Sequence, residues 1–96
     1  MYELTDAAAR DSEQILDRSV VDFGLHQTEL YYHSLKNCLE LLGENPNMGS
    51  SADDLRPGYR RFAHESHVIF YQDTGRDVLI LRILHKRMDI SKHIDE

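Results

Sequence analysis

One short segment, Val78–His85, restricts the fold of this chain more than any other. It has eight residues rich in β-branched and long aliphatic side chains and follows the turn-forming sequence TGRD, which predicts a β-strand. Because side chains alternate across a strand, Val78, Ile80, Arg82 and Leu84 share one face, and the other four residues share the opposite face. Both faces are mostly apolar, so both need cover. We expect the chain to cover one face and a partner protein to cover the other.

The first half of the chain predicts a short strand and two helices. Residues 2–5 fit a strand, and Thr5 or the aspartate after it is a suitable N-cap for a helix over Ala7–Phe23. Gly24 ends that helix, and a second helix follows over His26–Leu42. The core face of the second helix recurs at three- and four-residue intervals: Thr28, Tyr31, Tyr32, Leu35, Cys38, Leu39 and Leu42. Two helices joined by a tight glycine turn form a helical hairpin.

The second half changes to a period of two. After a polar connector over residues 43–55, strands are predicted over residues 59–64 and 67–72, separated by the turn at Glu65 and Ser66. Together with the last strand they form an antiparallel meander. The whole chain, residues 1–96, is thus predicted to be a single α+β domain of order β-α-α-β-β-β, with a helical hairpin packed on one face of a small antiparallel sheet.

A C-terminal tail follows the last strand over residues 86–96. Its sequence predicts one or two helical turns over Met88–Ile94, in which Ile90 and Ile94 form a small apolar pair. Terminal segments of this length are usually poorly ordered unless they dock on the domain.

Charge is unevenly distributed along the chain. The formal net charge is −6, but residues 1–55 contain three basic and eleven acidic residues, whereas residues 56–92 contain eight basic and four acidic ones. The acidic half disfavours contact with phosphates, and the basic half suits an acidic protein partner. We therefore expect no direct binding of nucleic acid.

The sequence lacks the features of a membrane-spanning or exported protein, and this bears on the cellular compartment. No stretch approaches the ~18 apolar residues of a membrane span, and the N-terminus has no basic start followed by an apolar stretch. Cys38 is the only cysteine, so an internal disulfide is excluded and a reducing compartment is favoured. The sequence predicts a cytoplasmic protein that is not bound to a membrane.

No pattern predicts a metal, cofactor or catalytic site. The sequence HESH at residues 64–67 supplies two histidines in a turn, but a zinc site needs three or four ligands. Cys38 lies on the apolar stripe of the second helix without an activating base, which is typical of a core residue.

Arg60 and Arg82 lie on strands among apolar neighbours, where an unpaired charge is unfavourable. One interpretation is an internal salt bridge with a carboxylate such as Glu65 or Asp73. The other is a cationic patch on the open sheet face that binds an acidic partner. The sequence leaves both open.

Four stretches in their order and spacing identify a family resemblance: GENPNMG after the second helix, LRPGYRRF at the second strand, HVIFYQD in the third, and LRILHKRMDISKHI at the end. The chain resembles the ParE toxins of the ParE/RelE superfamily, which belong to bacterial type II toxin–antitoxin modules. The resemblance implies the fold derived above, a cytosolic bacterial setting and neutralisation by a ParD-like antitoxin whose flexible tail wraps the toxin. It also implies DNA gyrase, through its A subunit, as the target.

Two sets of residues are expected to make these contacts, and the toxin is expected to form a hetero-oligomer with its antitoxin. The antitoxin set lies on the second and last strands: Arg60, Phe62, Ile80, Arg82 and Leu84. The target set forms a basic rim and the tail: Arg61, His85, Arg87, Met88, Asp89 and His93. No catalytic residue is assigned.

A ribosome-dependent mRNA endonuclease, as in the RelE branch, is the alternative function. Such chemistry needs a general base, a general acid and cations that hold the phosphate. The strand arginines supply cations but stay protonated, so they are poor bases, and only His85 titrates near neutrality. No aromatic residue follows His85, whereas the RelE pattern has a tyrosine near the C-terminus. A third possibility is a non-toxic corepressor that only binds antitoxin.

Overall fold

The structure, a computed structural model, describes residues 1–93, with Ser91 described by its backbone alone. One long helical segment packs on a five-stranded sheet whose strand order is β1-β5-β4-β3-β2. The elements in chain order are β1 (Tyr2–Leu4), α1 (Asp6–Glu44), a 3-10 turn (Pro46–Met48), β2 (Ser50–Ser51), β3 (Tyr59–His64), β4 (His67–Asp73), β5 (Val78–His85) and a second 3-10 turn (Ile90–Lys92). The α+β class predicted from the sequence is confirmed.

The helical segment α1 reverses direction at Gly24. This residue has φ 84° and ψ 171°, outside the helical region and favourable for glycine. The Thr28 hydroxyl donates to Ser19 Oγ at 3.0 Å across the turn, and a straight helix of this length would be about 58 Å long, beyond the 38 Å largest dimension of the molecule. The segment is therefore the predicted hairpin, with a first arm (residues 6–23) and a second arm (residues 25–44).

The second arm supplies the cover for one face of the sheet. Its buried residues repeat the predicted stripe, except that Tyr32 is exposed. They join the buried residues of β4 and β5 in one core: Leu35, Cys38, Leu39, Leu42, Ile69, Tyr71, Val78, Ile80 and Ile83. Ala8 adds the first arm to the same core, and its helix begins at the predicted cap, because the Thr5 hydroxyl oxygen accepts from the Ala8 amide at 3.0 Å.

The sheet differs from the prediction at its two edges. β1 pairs with β5 in parallel, so the sheet is mixed rather than wholly antiparallel. The direction of β1 is set by the helix that follows it, since the Thr5 amide and hydroxyl donate to the Ile80 and Leu81 carbonyl oxygens. At the other edge, β2 lies in the predicted connector and pairs with Arg60 and Arg61 of β3. Its two serines carry no alternation that a sequence pattern detects.

A β-bulge in β5 changes which residues share a face. Phe70 pairs with Arg82, and the next residue of β4, Tyr71, pairs with Ile80, so Leu81 is skipped. Ile80 consequently faces the helices and is fully buried, whereas Arg82 faces the opposite side. The prediction that Ile80 shares a face with Arg82 and Leu84 was wrong, because strict alternation fails across a bulge.

The second face of the sheet is also less open than predicted. Phe70 and Leu84 lie on it and are 0% and 2% exposed. The C-terminal segment approaches this side, where Arg82 Nη1 donates to the His93 carbonyl oxygen at 2.6 Å. The proposed pair with Ile94 lies outside the described residues.

Exposed apolar surface is concentrated instead at the tip of the helical hairpin. Val21 is 80% exposed, and Phe23 and Leu25 are each 70% exposed. Several large apolar side chains exposed within five residues are unusual for a protein surface that makes no contacts. The surface without cover therefore lies on the hairpin rather than on the sheet.

Candidate functional site

A groove of about 850 Å³ runs between the first arm of α1 and the adjoining ends of β4 and β5. The first arm contributes Ile15, Ser19 and Phe23 to its wall, and β5 contributes Leu84. Phe23 connects the groove to the exposed tip of the hairpin. The groove thus mixes apolar side chains with polar and charged ones along its length, including Arg10, Gln14 and Arg18 from the first arm, as in the sites that bind polypeptide segments.

A buried ion pair joins the first arm to β5 at one end of this groove. Arg82 Nε donates to Asp11 Oδ2 at 2.8 Å, and Arg82 Nη2 donates to Oδ1 at 2.9 Å. The Ile83 amide also donates to Asp11 Oδ2 at 3.0 Å. Asp11 is 7% and Arg82 is 8% exposed, so this bidentate pair is shielded from water. Arg82 is therefore internally paired, although with Asp11 rather than with Glu65 or Asp73.

Histidines form the other end of the groove. His67 and His85 are cross-strand neighbours whose rings meet edge to face, with their centroids 5.4 Å apart. The Tyr31 hydroxyl lies 2.8 Å from His67 Nδ1, and the Arg87 amide donates to His85 Nδ1 at 3.1 Å. His64 adjoins this pair behind the groove, where its Nε2 is hydrogen-bonded to the Ser34 hydroxyl at 3.1 Å.

Burial changes the acid–base behaviour of two groups at this end. It raises the pKa of Tyr31 to about 12, and the charge of Glu65 adds to the rise. Burial likewise lowers the pKa of His67 below its ordinary value of 6.5, as do His85 and then His64. Tyr31 therefore stays protonated, His67 is mainly neutral at pH 7, and the Tyr31 hydroxyl shares a hydrogen bond with His67 Nδ1.

Arg60 is held by the loop before β2. Its Nε donates to the Pro46 carbonyl oxygen at 3.1 Å, and its Nη2 donates to the Gly49 carbonyl oxygen. The buried Tyr71 completes this network, since its hydroxyl donates to Pro46 at 2.6 Å and accepts from the Gly49 amide at 2.9 Å. Arg60 thus anchors a loop through backbone carbonyl groups, which neither interpretation of the sequence included.

The expected antitoxin set is split by the fold. Arg82 and Leu84 line the groove, whereas Ile80 is part of the core. Phe62 packs against that same core, and Arg60 contacts the loop described above. Three of the five residues therefore lie away from the groove.

The expected target set is also split. His85, Met88 and His93 line the groove. Arg87 and Asp89 are exposed in the segment beside it. Arg61 lies apart on β3, where it donates to Asp54 Oδ1 at 2.7 Å and lies over the Phe70 ring.

Several groove residues did not emerge from the sequence. Asp11 carries no local sequence signal of burial, because its burial depends on a partner 71 residues away. Tyr31 and His67 were assigned to the core stripe and to a turn, respectively. Two signals pointed towards them: an unpaired strand arginine that needed a carboxylate, and three histidines at adjoining strand ends.

Two kinds of site are absent from the described part of the chain. Among residues 1–93, no three histidine, cysteine or acidic side chains are arranged to hold a metal ion. Within the same range, no helix combines the length and the apolar content needed to cross a membrane.

Comparison with known proteins places this fold and its residues in one family. The family model described as ParE toxin of type II toxin–antitoxin system, parDE, matches residues 2–90. Toxin ParE1 of Caulobacter vibrioides is 38% identical over 93 residues, covering 97% of this chain and 96% of that protein. Toxin ParE1 of Mycobacterium tuberculosis is 35% identical over 94 residues, with the same coverage.

A solved structure supports the fold. The chain of a chromosomal ParDE toxin–antitoxin system from P. aeruginosa superposes with a TM-score of 0.75 at 24% sequence identity, over 88% of this chain and 92% of that one. The assignment to a family rests on the family match across residues 2–90 and on the two relatives above. This chain belongs to the ParE family of toxins from type II toxin–antitoxin systems.

Proposed function

We propose that this toxin acts by binding DNA gyrase through its A subunit, and that a ParD-like antitoxin silences it by occupying the groove beside the first arm. The observation that carries the proposal is the continuity between the groove and the exposed apolar tip of the hairpin at Phe23. A segment of a partner that lies in the groove would also cover this tip. Gyrase is proposed as the target because the family resemblance implies it.

A binding mechanism fits the state of the strand cations better than a nuclease mechanism does. Arg82 is paired with Asp11, Arg61 with Asp54, and Arg60 with carbonyl oxygens. Holding a scissile phosphate would require these bonds to be exchanged. We therefore infer that the toxin is not an enzyme. We also expect it to act in the cytoplasm.

Antitoxin binding is tested with a matched pair of surface variants and a cognate ParD-like antitoxin. Phe23→Ser removes an exposed aromatic side chain from the groove mouth, and Leu41→Ser makes a similar change at a residue 49% exposed that does not line the groove. We expect Phe23→Ser to weaken binding at least about tenfold, as for an aromatic anchor, and Leu41→Ser to leave it within about twofold. Equal effects of the two variants would contradict this placement.

The target is tested with purified gyrase and relaxed plasmid. The expected result is loss of supercoiling with accumulation of cleaved DNA, relieved when the toxin is premixed with the antitoxin. A parallel reaction with ribosomes programmed with mRNA tests the alternative function, which is ribosome-dependent cleavage of mRNA. Cut mRNA beside fully active gyrase would replace the proposal with a nuclease, and inactivity in both reactions would favour a corepressor.

A further inference from the structure

The histidine end of the groove carries two hydrogen-bond donors whose positions are fixed by the fold. Nδ1 of His85 accepts from the Arg87 amide, and Nδ1 of His67 is hydrogen-bonded to the Tyr31 hydroxyl, which accepts from this nitrogen when the His67 ring is protonated. A neutral imidazole that accepts at Nδ1 carries its proton on Nε2. Within residues 1–93 neither Nε2 makes a hydrogen bond, while both rings line the groove. Two N–H donors are thus available to a ligand.

We propose that His67 and His85 form the binding site for an acidic side chain of the partner polypeptide, and that the partner is bound together with a proton. The inference rests on the proposed function, because the partner segment is taken to lie in this groove. The inference adds to that function the chemical nature of one contact between the toxin and its partner, and the dependence of their binding on pH.

A carboxylate suits this pair for two reasons. Its two oxygen atoms match two N–H donors on adjoining rings, and its single negative charge is balanced by one protonated imidazole. A phosphate group would bring a second negative charge into a groove that already contains Asp22 and Glu65. The apolar residues beside the histidines also favour a side chain on a polypeptide over a free small acid.

Charged and titratable groups surround the pair on every element packed against it. They are Arg18 and Asp22 from the first arm, Tyr31 from the second arm, His64 from β3, Glu65 from the following turn, and Arg82, Arg87 and His93 from β5 and the segment after it. In the free toxin Glu65 favours the charged form of His67, whereas burial and the two other histidines oppose it. A partner carboxylate adds a second favourable charge at short range, so binding shifts His67 towards its protonated form.

Proton uptake gives the interaction a definite pH dependence. If one proton is taken up, the Kd falls by about tenfold for each unit by which the pH is lowered within the linked range. We expect the toxin and a cognate ParD-like antitoxin to bind more tightly at pH 6.5 than at pH 7.5, by roughly three- to tenfold. Calorimetry in two buffers with different ionisation enthalpies measures the proton uptake independently.

Glutamine variants separate proton uptake from hydrogen bonding. His67→Gln and His85→Gln each keep an N–H donor at a similar distance but cannot be protonated. We expect both variants to bind within about threefold of the wild type at pH 8. His67→Gln is expected to lose most of the pH dependence, whereas His85→Gln keeps it, because Nδ1 of His85 accepts from the Arg87 amide and cannot take up a proton without losing that bond. His33→Gln, at an exposed position on the second arm that does not line the groove, is the matched control and keeps the full dependence.

The partner side of the contact is tested by replacing its acidic residues one at a time with the corresponding amide. One such replacement is expected to remove the pH dependence and to show no further effect when combined with His67→Gln. A complex that forms with no proton uptake and equal affinity at both pH values would overturn the inference and leave the proposed function intact. Failure of the two chains to bind at any pH would overturn both.

Discussion

The buried pair of Asp11 and Arg82 gives the sharpest prediction of stability. Asp11→Ala removes the acceptor of two guanidinium N–H groups and of the Ile83 amide, in a site where both side chains are nearly inaccessible to water. Breaking a buried pair from one side costs about 3–5 kcal/mol, because the remaining charge is left uncompensated. A domain of this size has about 5–15 kcal/mol in total.

The assay is urea unfolding followed by circular dichroism, with the free energy of unfolding obtained by linear extrapolation. A loss of about 3 kcal/mol corresponds to a fall in Tm of about 12–24 °C. Asp22→Ala is the matched control, since it breaks the Arg18–Asp22 pair, whose side chains are 79% and 39% exposed. That change is expected to cost less than about 0.5 kcal/mol.

A double variant tests the physical reason. Asp11→Leu combined with Arg82→Met replaces both charges with apolar groups, so no uncompensated charge remains. The Ile83 amide then loses its acceptor, which costs about 1–3 kcal/mol, and the His93 carbonyl oxygen loses the Arg82 donor. The reasoning would be refuted if Asp11→Ala matched the Asp22 control, or if the double variant lost as much as the two single changes added together.

Three further predictions concern the turns and the histidines. Gly49→Ala places a methyl group 2.5 Å from both the Arg61 carbonyl oxygen and the Tyr71 hydroxyl, so we expect a loss of about 1–3 kcal/mol in urea unfolding, and an unchanged midpoint would contradict the close approach. Glu65 has φ 53°, so Glu65→Asn should gain about 0.5–1 kcal/mol in the same assay, and no gain would show that the turn is unstrained. His67 has a pKa that burial lowers in the folded state, so its stabilising contribution is complete above pH 6.5 and is lost as the pH falls towards the folded-state value. Melting between pH 7.5 and 5 should therefore show a smaller loss of Tm for His67→Gln than for the wild type, and parallel curves would contradict the assignment.

The elements that the sequence predicted correctly depend on local signals. The hairpin follows from apolar spacing in each arm and from Gly24, which takes a conformation unfavourable for other residues. The meander follows from alternation and from a two-residue turn between residues 64 and 67. These signals lie within a few residues of the structure they specify.

The features that the sequence did not predict depend on pairing between distant segments. The bulge at Leu81 arises where β4 and β5 align, and neither strand alone reveals it. The partner of Arg82 is 71 residues away, on a helix face that composition marks as polar. The residues that line the groove could not be predicted for the same two reasons. The bulge directs Ile80 into the core, and the ion pair fixes the first arm against β5.

The most direct test of the account is hydrogen–deuterium exchange of the toxin with and without a ParD-like antitoxin that binds it. We predict slower exchange in the complex over residues 15–31, which include the hairpin tip, and over residues 82–88, which follow the groove wall. The edge formed by β2 and β3, over residues 50–61, should exchange at the same rate in both states. Protection confined to that edge, with no change along the first arm, would contradict the assignment of the groove as the partner site.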